Sequence, residues 1–266
     1  MIKFAKQIRY WLKTFYHYKD LLVLLVERDV KLKYRRSFLG YLWSIMNPLF
    51  IMVVLTLIFS RMFRRSISNF PVYLIVGRAC FDFMSEATRQ SMQSVTGNAS
   101  LLKKTDVPRY IFTVARVSSA AVNFMFSLGA LAIVLLWTKT LPTWRVIFLP
   151  FTLMQLYVFC LGLGLFLAAA NVFFRDIQYI YNAVITAWMY LSALFYPVQS
   201  LPSKVRWWVT HANPMYLYID QARSFVMSDK LPPSTSVVGG CVAAALALLI
   251  GVWMFHKHQR RFILYI

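Results

Sequence analysis

The stretch Glu27–Pro48, ERDVKLKYRRSFLGYLWSIMNP, changes character at Ser37. Before it stand Arg28, Lys31, Lys33, Arg35 and Arg36; after it an apolar run continues through IMVVLTLIF to Phe59. About 20 apolar residues cross the hydrocarbon core of a bilayer. A basic segment running straight into such a length therefore reads as a surface helix feeding a membrane span. The positive block also sets the side from which the chain enters, because Lys and Arg next to a span stay in the cytoplasm.

The composition agrees with this reading. Hydrophobic residues make up 59% of the 266, only 14% are charged, and the mean hydropathy is +0.58. A soluble domain carries about a quarter charged residues, so the chain is an all-α polytopic membrane protein without a large soluble domain. The net charge of +20 is spread over short loops and end segments beside apolar runs. That placement suits topology and anionic headgroups and lacks the contiguous basic footprint of a nucleic-acid binder. Cys80, Cys160 and Cys241 fall in three different apolar runs, and His17, His211, His256 and His258 are scattered. Neither a disulfide framework nor a metal site is expected.

Taken in order, residues 1–19 place Phe4, Ile8, Trp11, Leu12 and Phe15 on one helical stripe and Lys3, Lys6, Arg9 and Lys13 beside it. This is the pattern of an amphipathic helix lying in the interface, and it makes residues 1–36 a cytoplasmic N-terminal region. Residues 37–256 form the transmembrane domain, with six spans expected at about 38–59, 71–94, 108–137, 146–172, 179–195 and 235–255. Asn47-Pro48 predicts a kink or a delayed start in the first span. Residues 97–108 hold a short helix, with Asn98 and Ser100 as candidate caps. Residues 197–230 hold two amphipathic pieces broken at Asn213-Pro214, which suit an interfacial or re-entrant hairpin. Residues 257–266 form a basic tail. Seventeen of the Lys and Arg fall on the side of the termini and nine on the other, so both termini are expected in the cytoplasm.

No GxxxxGK[ST], HExxH or GxSxG occurs, so the chain carries neither a phosphate-cradling loop nor a familiar catalytic signature. The second span instead holds Arg78, Asp82, Glu86 and Arg89 at intervals of three or four. Charges in a span face a bundle interior or a water path. Glu86 and Arg116 fall at similar depths and are expected to pair, either as a structural ion pair or as part of a polar path lining. Among the aromatics, Tyr181, Trp188 and Tyr190 lie within the fifth span. They read as core packing, or as rings on which a sugar chain slides.

Four stretches, ERDVKLKYRRSFLGYLWSIMNP, NASLLKKTDVPR (98–109), NVFFRDIQY (171–179) and NPMYLYIDQARSFV (213–226), resemble in order the polysaccharide-export permeases of ABC transporters. These are the membrane subunits for O-antigen, capsule and teichoic-acid export, and the resemblance covers nearly the whole chain. It implies a permease in the bacterial cytoplasmic membrane that moves a lipid-linked polysaccharide. It further implies a homodimer with two copies of a separate ABC ATPase, which binds ATP and Mg while this chain binds no cofactor. By similarity Asn98, Leu101, Lys103, Lys104 and Asp106 form a first coupling helix, and Arg175 and Asp176 belong to a second coupling element. Trp207, Trp208, Asn213, Pro214 and Tyr216 stand in a gate hairpin at the outer mouth. The N-terminal amphipathic helix resembles an interface helix, so Glu27–Pro48 reads both as a topological anchor and as a lever for ATPase motion. An ABC exporter of drugs or lipids and a membrane-embedded transferase are the rival readings.

Overall fold

The computed structural model describes residues 16–35, 39–63, 67, 69–140, 142–228 and 231–265. The expected interfacial stripe of residues 1–15 lies outside the described residues, as do Arg36, Arg64 and Arg65. The described chain is helical throughout, without strands. Helix α1 spans Lys19–Tyr34, and α2, Trp43–Phe63, follows one 3-10 turn. Next come α3, Phe70–Met92, the four-residue α4, Ala99–Leu102, and α5, Tyr110–Trp137. The rest of the bundle is α6, Leu149–Phe173, α7, Ile177–Leu191, and α10, Ser234–His258. The hairpin limbs α8, Ser203–Ala212, and α9, Pro214–Met227, precede α10.

Four helical stretches are long and apolar enough to cross a membrane: 40–60, 110–137, 144–173 and 234–264. The second and fifth expected spans fall outside that set for different reasons. Helix α3 has the length, at 23 residues, but carries four charges. Helix α7 is apolar but has 15 residues, about 22 Å of helix, against a hydrocarbon core of about 30 Å. Pro48 lies inside α2, which starts at Trp43, so the proline does not delay the helix start.

Helix α3 is the hub, packing on α2, α5, α6, α7 and α9. Val72, Leu74, Ile75, Met84 and Ala87 on its inner face are almost wholly buried. Asn69 starts the helix by accepting from Val72 N, and Pro71 occupies its first turn, where a missing N–H costs nothing. The Asn69 amide also donates to Thr140 Oγ1 at 2.5 Å, joining this end to the far end of α5.

The hairpin limbs are unlike, contrary to the expectation of two interfacial pieces. Only Val209 of α8 is buried. In α9 nine residues are buried, including Gln221 and Arg223, and the helix packs on α3, α6 and α10. The difference lies in the polar groups. Thr152 Oγ1 donates to Gln221 Oε1 at 3.1 Å, and Gln221 Nε2 donates to Gln155 Oε1 at 3.2 Å and to Ser236 O at 2.8 Å. Polar side chains with partners of this kind can be buried between helices.

Helices α6 and α10 make the most extensive contact of the bundle, through two glycines. A Cβ on Gly162 would stand 2.3 Å from the Ala247 carbonyl carbon, and one on Gly251 would stand 2.0 Å from Gly162 O. In lipid, helix pairs gain from backbone approach of this kind, since the surrounding tails are as apolar as leucine. Gly162→Ala is therefore expected to force α6 and α10 apart at a cost of about 1–3 kcal/mol. Gly97→Ala, which meets no atom within 4 Å, is the matched control. Thermal unfolding in detergent checks this: equal midpoints for the two variants would show that the crossing tolerates a methyl group.

Candidate functional site

Three regions bear on function: a half-open polar cavity on one side of the bundle and the surfaces at its two ends. The cavity, about 520 Å³, lies between α1, α2, α3 and α5. Arg78, Asp82, Glu86 and Arg89 all line it, as expected for a stripe at helical spacing, together with Lys33, Trp43, Asn47 and Asn123. Glu86 Oε1 accepts from Lys33 Nζ at 2.6 Å, Gln90 Nε2 at 2.9 Å and Asn123 Nδ2 at 2.9 Å. Arg78 Nε donates to Asp82 Oδ2 at 2.8 Å.

The expected Glu86–Arg116 pair does not form. Arg116 Nη1 lies 3.0 Å from Asp29 Oδ2, and the Asp29 side chain is only 5% exposed. Arg28 closes on the other oxygen of Asp29 at 2.9 Å. Similar depth along neighbouring spans left the rotational position open, and α1 supplies the partner of each charge. Leu21, Leu22, Leu25 and Val26 of α1 pack in one cluster with Ile111, Phe112 and Ala115 of α5. This packing brings Asp29 to Arg116 and Lys33 to Glu86. The one acid among the basic residues of 28–36 was the available signal for the first of these contacts.

The remaining path candidates do not reach the cavity. Tyr181 is buried and its hydroxyl donates to Thr88 Oγ1 at 2.7 Å. Trp188 Nε1 donates to Asn213 Oδ1 at 2.8 Å, tying α7 to the hairpin. Tyr190 is exposed, and its carbonyl accepts from Tyr196 OH at 2.5 Å.

At one end Gln93, Thr96 and Gly97, which lead into the first expected coupling segment at 98–106, line a cleft of about 310 Å³ with Asn171 and with Arg175 and Gln178 of the second. Gln178 Nε2 donates to Asn171 Oδ1 at 3.0 Å, and Asn171 Nδ2 donates to Met92 O at 2.8 Å. Lys103, Lys104, Asp106, Arg175 and Asp176 are exposed. Leu101 is partly buried against the core. Asn98 sits at the start of α4, but its Nδ2 reaches back to Ser94 O at 2.8 Å rather than capping the helix. The basic tail is also fastened here. Arg109 Nη1 donates to Gln259 O, and Phe262 is fully buried beside Phe173 and Phe255.

At the opposite end Asn213 organises the hairpin. Its Oδ1 accepts from Met215 N and Tyr216 N, which caps α9, and its Nδ2 donates to Leu191 O and Ser192 Oγ. Pro214 fills the first turn of α9. Trp207 and Trp208 are exposed and meet edge to face, with ring centroids 5.2 Å apart; Tyr216 lines a cleft with Tyr73, Asp220 and Arg223. Arg223 was not singled out from the sequence. Its guanidinium lies 3.4 Å from the Tyr73 ring centroid. It donates to Tyr73 O at 3.1 Å, Ala193 O at 3.0 Å and Leu194 O at 3.1 Å. Gly77 gives it room, since a Cβ there would stand 2.5 Å from Arg223 Nη2.

A family model described as ABC-2 type transporter matches residues 20–227. Among curated relatives, the O-antigen export system permease protein RfbA of Myxococcus xanthus is 28% identical over 251 residues, 94% of this chain and 96% of the relative. An RfbA of Klebsiella pneumoniae is 27% identical over 244 residues, 91% and 93% of the two chains. The polysialic acid transport protein KpsM of Escherichia coli is 21% identical over 236 residues, 87% and 91%.

Removing Arg116 leaves the nearly buried Asp29 with Arg28 alone, and removing Asp29 leaves Arg116 without its acid; each costs up to about 3–5 kcal/mol, the cost of breaking a buried pair. Asp29→Arg and Arg116→Asp are each expected to lower the yield of folded protein, and the double exchange to restore it. An equal loss in singles and double would remove the pair as the link between α1 and α5.

Proposed function

The chain belongs to the ABC-2 type transporter family, and from that premise we propose that it is the permease subunit of an exporter that moves a lipid-linked polysaccharide across the cytoplasmic membrane. The observation that carries this reading is the pair of exposed, charged turns at one end of the bundle, bridged through Gln93 and Gln178, together with the open polar cleft along the α3 charges. A separate ATPase, two copies against a homodimer of this chain, supplies the energy and holds the ATP and Mg. The substrate class rests on the relatives named for O-antigen export, aligned over nearly their whole length.

Six helices, α2, α3, α5, α6, α7 and α10, are the six spans in this reading. Their ends alternate: α3 and α6 finish, and α7 begins, where Gln93, Asn171 and Gln178 meet. The opposite end gathers the finish of α7 and the hairpin. The α3 charges face the cavity and its neighbours, so its low apolarity does not exclude it from the membrane. The end with the greater share of Lys and Arg is cytoplasmic. Residues 1–36 and 257–266 flank the spanning domain there, and the hairpin of 197–230 closes the outer mouth.

In this arrangement the ATPases close on α4 and the turn Phe174–Gln178, and rigid-body motion carries into the spans. The α1 ion pairs carry the same motion to α3 and α5. A strain lacking this chain is expected to accumulate glycan inside the cell and to lose it from the surface, measured by glycan staining of whole and permeabilised cells. Lys103→Glu with Lys104→Glu is expected to leave the complex assembled while ATP hydrolysis no longer drives export. Normal surface glycan in that double variant would sink the coupling role of α4.

A further inference from the structure

The two ATPase-facing segments, 98–106 and 174–178, are joined on one side by polar groups. Gln93 Nε2 donates to Gln178 Oε1 at 3.4 Å, and Asn171 Nδ2 to Met92 O; both bonds reach the chain before Asn98. The other side of the first segment, after Asp106, is met by residues 259–265, for which the export reading above has no task. They continue α10 as a 3-10 helix, Gln259–Leu264. Six residues is long for that geometry, and the run is tied at two points. Arg109, the residue before α5, donates through Nη1 to Gln259 O. Phe262 is fully buried, its ring 6.0 Å from that of Phe173 and 5.2 Å from that of Phe255.

Phe173 is the last residue of α6, directly before the turn Phe174–Gln178. Three rings from this end of the chain meet it edge on: His258 at 5.6 Å, Phe262, and Tyr265 at 4.9 Å between centroids. The same apolar cluster takes in Leu102 of the first segment, Val107 just after it and Phe112 of α5. One tie therefore lands just after the first ATPase-facing segment and the other just before the second. We propose that residues 259–265 are a strap that holds the two segments as one body, with Phe262 as the positioning residue for coupling. Packing contacts weaken steeply once a gap opens. Without the Phe262 ring each turn moves alone, and the stroke is spent before it reaches the spans. The proposal rests on the export reading and adds to it the device that makes two separate turns answer together.

The test uses the full chain assembled with its ATPase. Surface glycan is measured per assembled complex, counted by pull-down of the ATPase, and ATP hydrolysis is measured on the purified complex. Phe262→Ala is expected to lower glycan per complex about fivefold or more, while hydrolysis per complex stays within about twofold of the parent. Phe262→Leu is expected to keep most of the export, and Leu264→Ala, in the same turn but 80% exposed, all of it. Where Phe262→Ala assembles poorly, the smaller cut Phe262→Val reads the same ratio. Normal glycan per complex, or export and hydrolysis falling together, overturns the proposal. A second measurement stands apart from export: the pulsed-EPR distance between nitroxides at Lys104→Cys and Arg175→Cys, both exposed positions, in a Cys241→Ser background with one labelled chain per complex. Its distribution is expected to broaden in Phe262→Ala and to stay narrow in Phe262→Leu and Leu264→Ala. An unchanged width in Phe262→Ala removes the strap and leaves the exporter. A strain that lacks this chain and keeps its surface glycan removes the export reading, and the width then decides the strap alone.

Discussion

A charge carried into a bilayer on a helix has to be met by another group, and α3, one of the spans in the reading proposed above, carries four charges. Much of the architecture follows from meeting that demand. The stripe Arg78–Asp82–Glu86–Arg89 cannot face lipid, so α3 sits at the centre of the bundle with its apolar side packed on α5, α6 and α9. Its charged side opens on a cavity. One acid is answered on the same helix, by Arg78 four residues away. The other is answered from outside the spans, by Lys33 of α1. A helix that would otherwise rest on the membrane surface is thereby joined to the middle of the protein.

The hairpin end of the bundle solves a related problem chiefly with main-chain carbonyls. Arg223 is buried with its guanidinium on three main-chain carbonyls and the face of Tyr73. Charge-assisted hydrogen bonds of this kind contribute about 1.5–3 kcal/mol each, which offsets the loss of water around the cation. The carbonyls belong to Tyr73 of α3 and to Ala193 and Leu194 just beyond α7, where Ala193 takes a positive φ of 49°. Tyr73 OH adds one further donor, lying 2.8 Å from Tyr196 O and 3.0 Å from Ala193 O. Arg223 thus fastens α9, the inner limb of the hairpin, to α3 and α7 together. The outer limb has no comparable fastening and keeps its tryptophans on the surface.

Much of this was legible in the sequence, and what was hidden follows one rule. Apolar runs and their punctuation by Pro71, Asn98, Pro108, Pro197 and Asn213-Pro214 located the helices to within a few residues. Helical spacing put the α3 charges on one face. The partners of those charges were not legible, because similar depth along two spans leaves the rotation of each helix open. Arg116 accordingly meets Asp29 rather than Glu86. Amphipathic composition likewise placed both hairpin limbs at an interface, whereas Gln221 and Arg223 have internal partners that make burial of α9 affordable. Tyr181 and Trp188 were aromatics within the expected fifth span, but their hydroxyl and indole N–H are turned toward Thr88 and Asn213.

The placement of α1 has a mechanical consequence. Its contacts to the bundle are of two kinds: an apolar face on α5, and ion pairs to α5 and α3 from residues four apart, Asp29 and Lys33. An apolar face alone permits sliding, because its energy depends weakly on register. Two ion pairs to different helices fix both register and rotation, since displacing α1 by one turn would part the nearly buried Asp29 from Arg116 and Lys33 from Glu86. Motion applied to α1 is therefore shared by α3 and α5. Met92 at the end of α3 is held in turn by Asn171, and so by the turn before α7. The turn at 174–178 and α1 converge on the same charged helix from two directions. A displacement of either reaches the cavity walls directly, through α3, without passing through the hairpin at the far end.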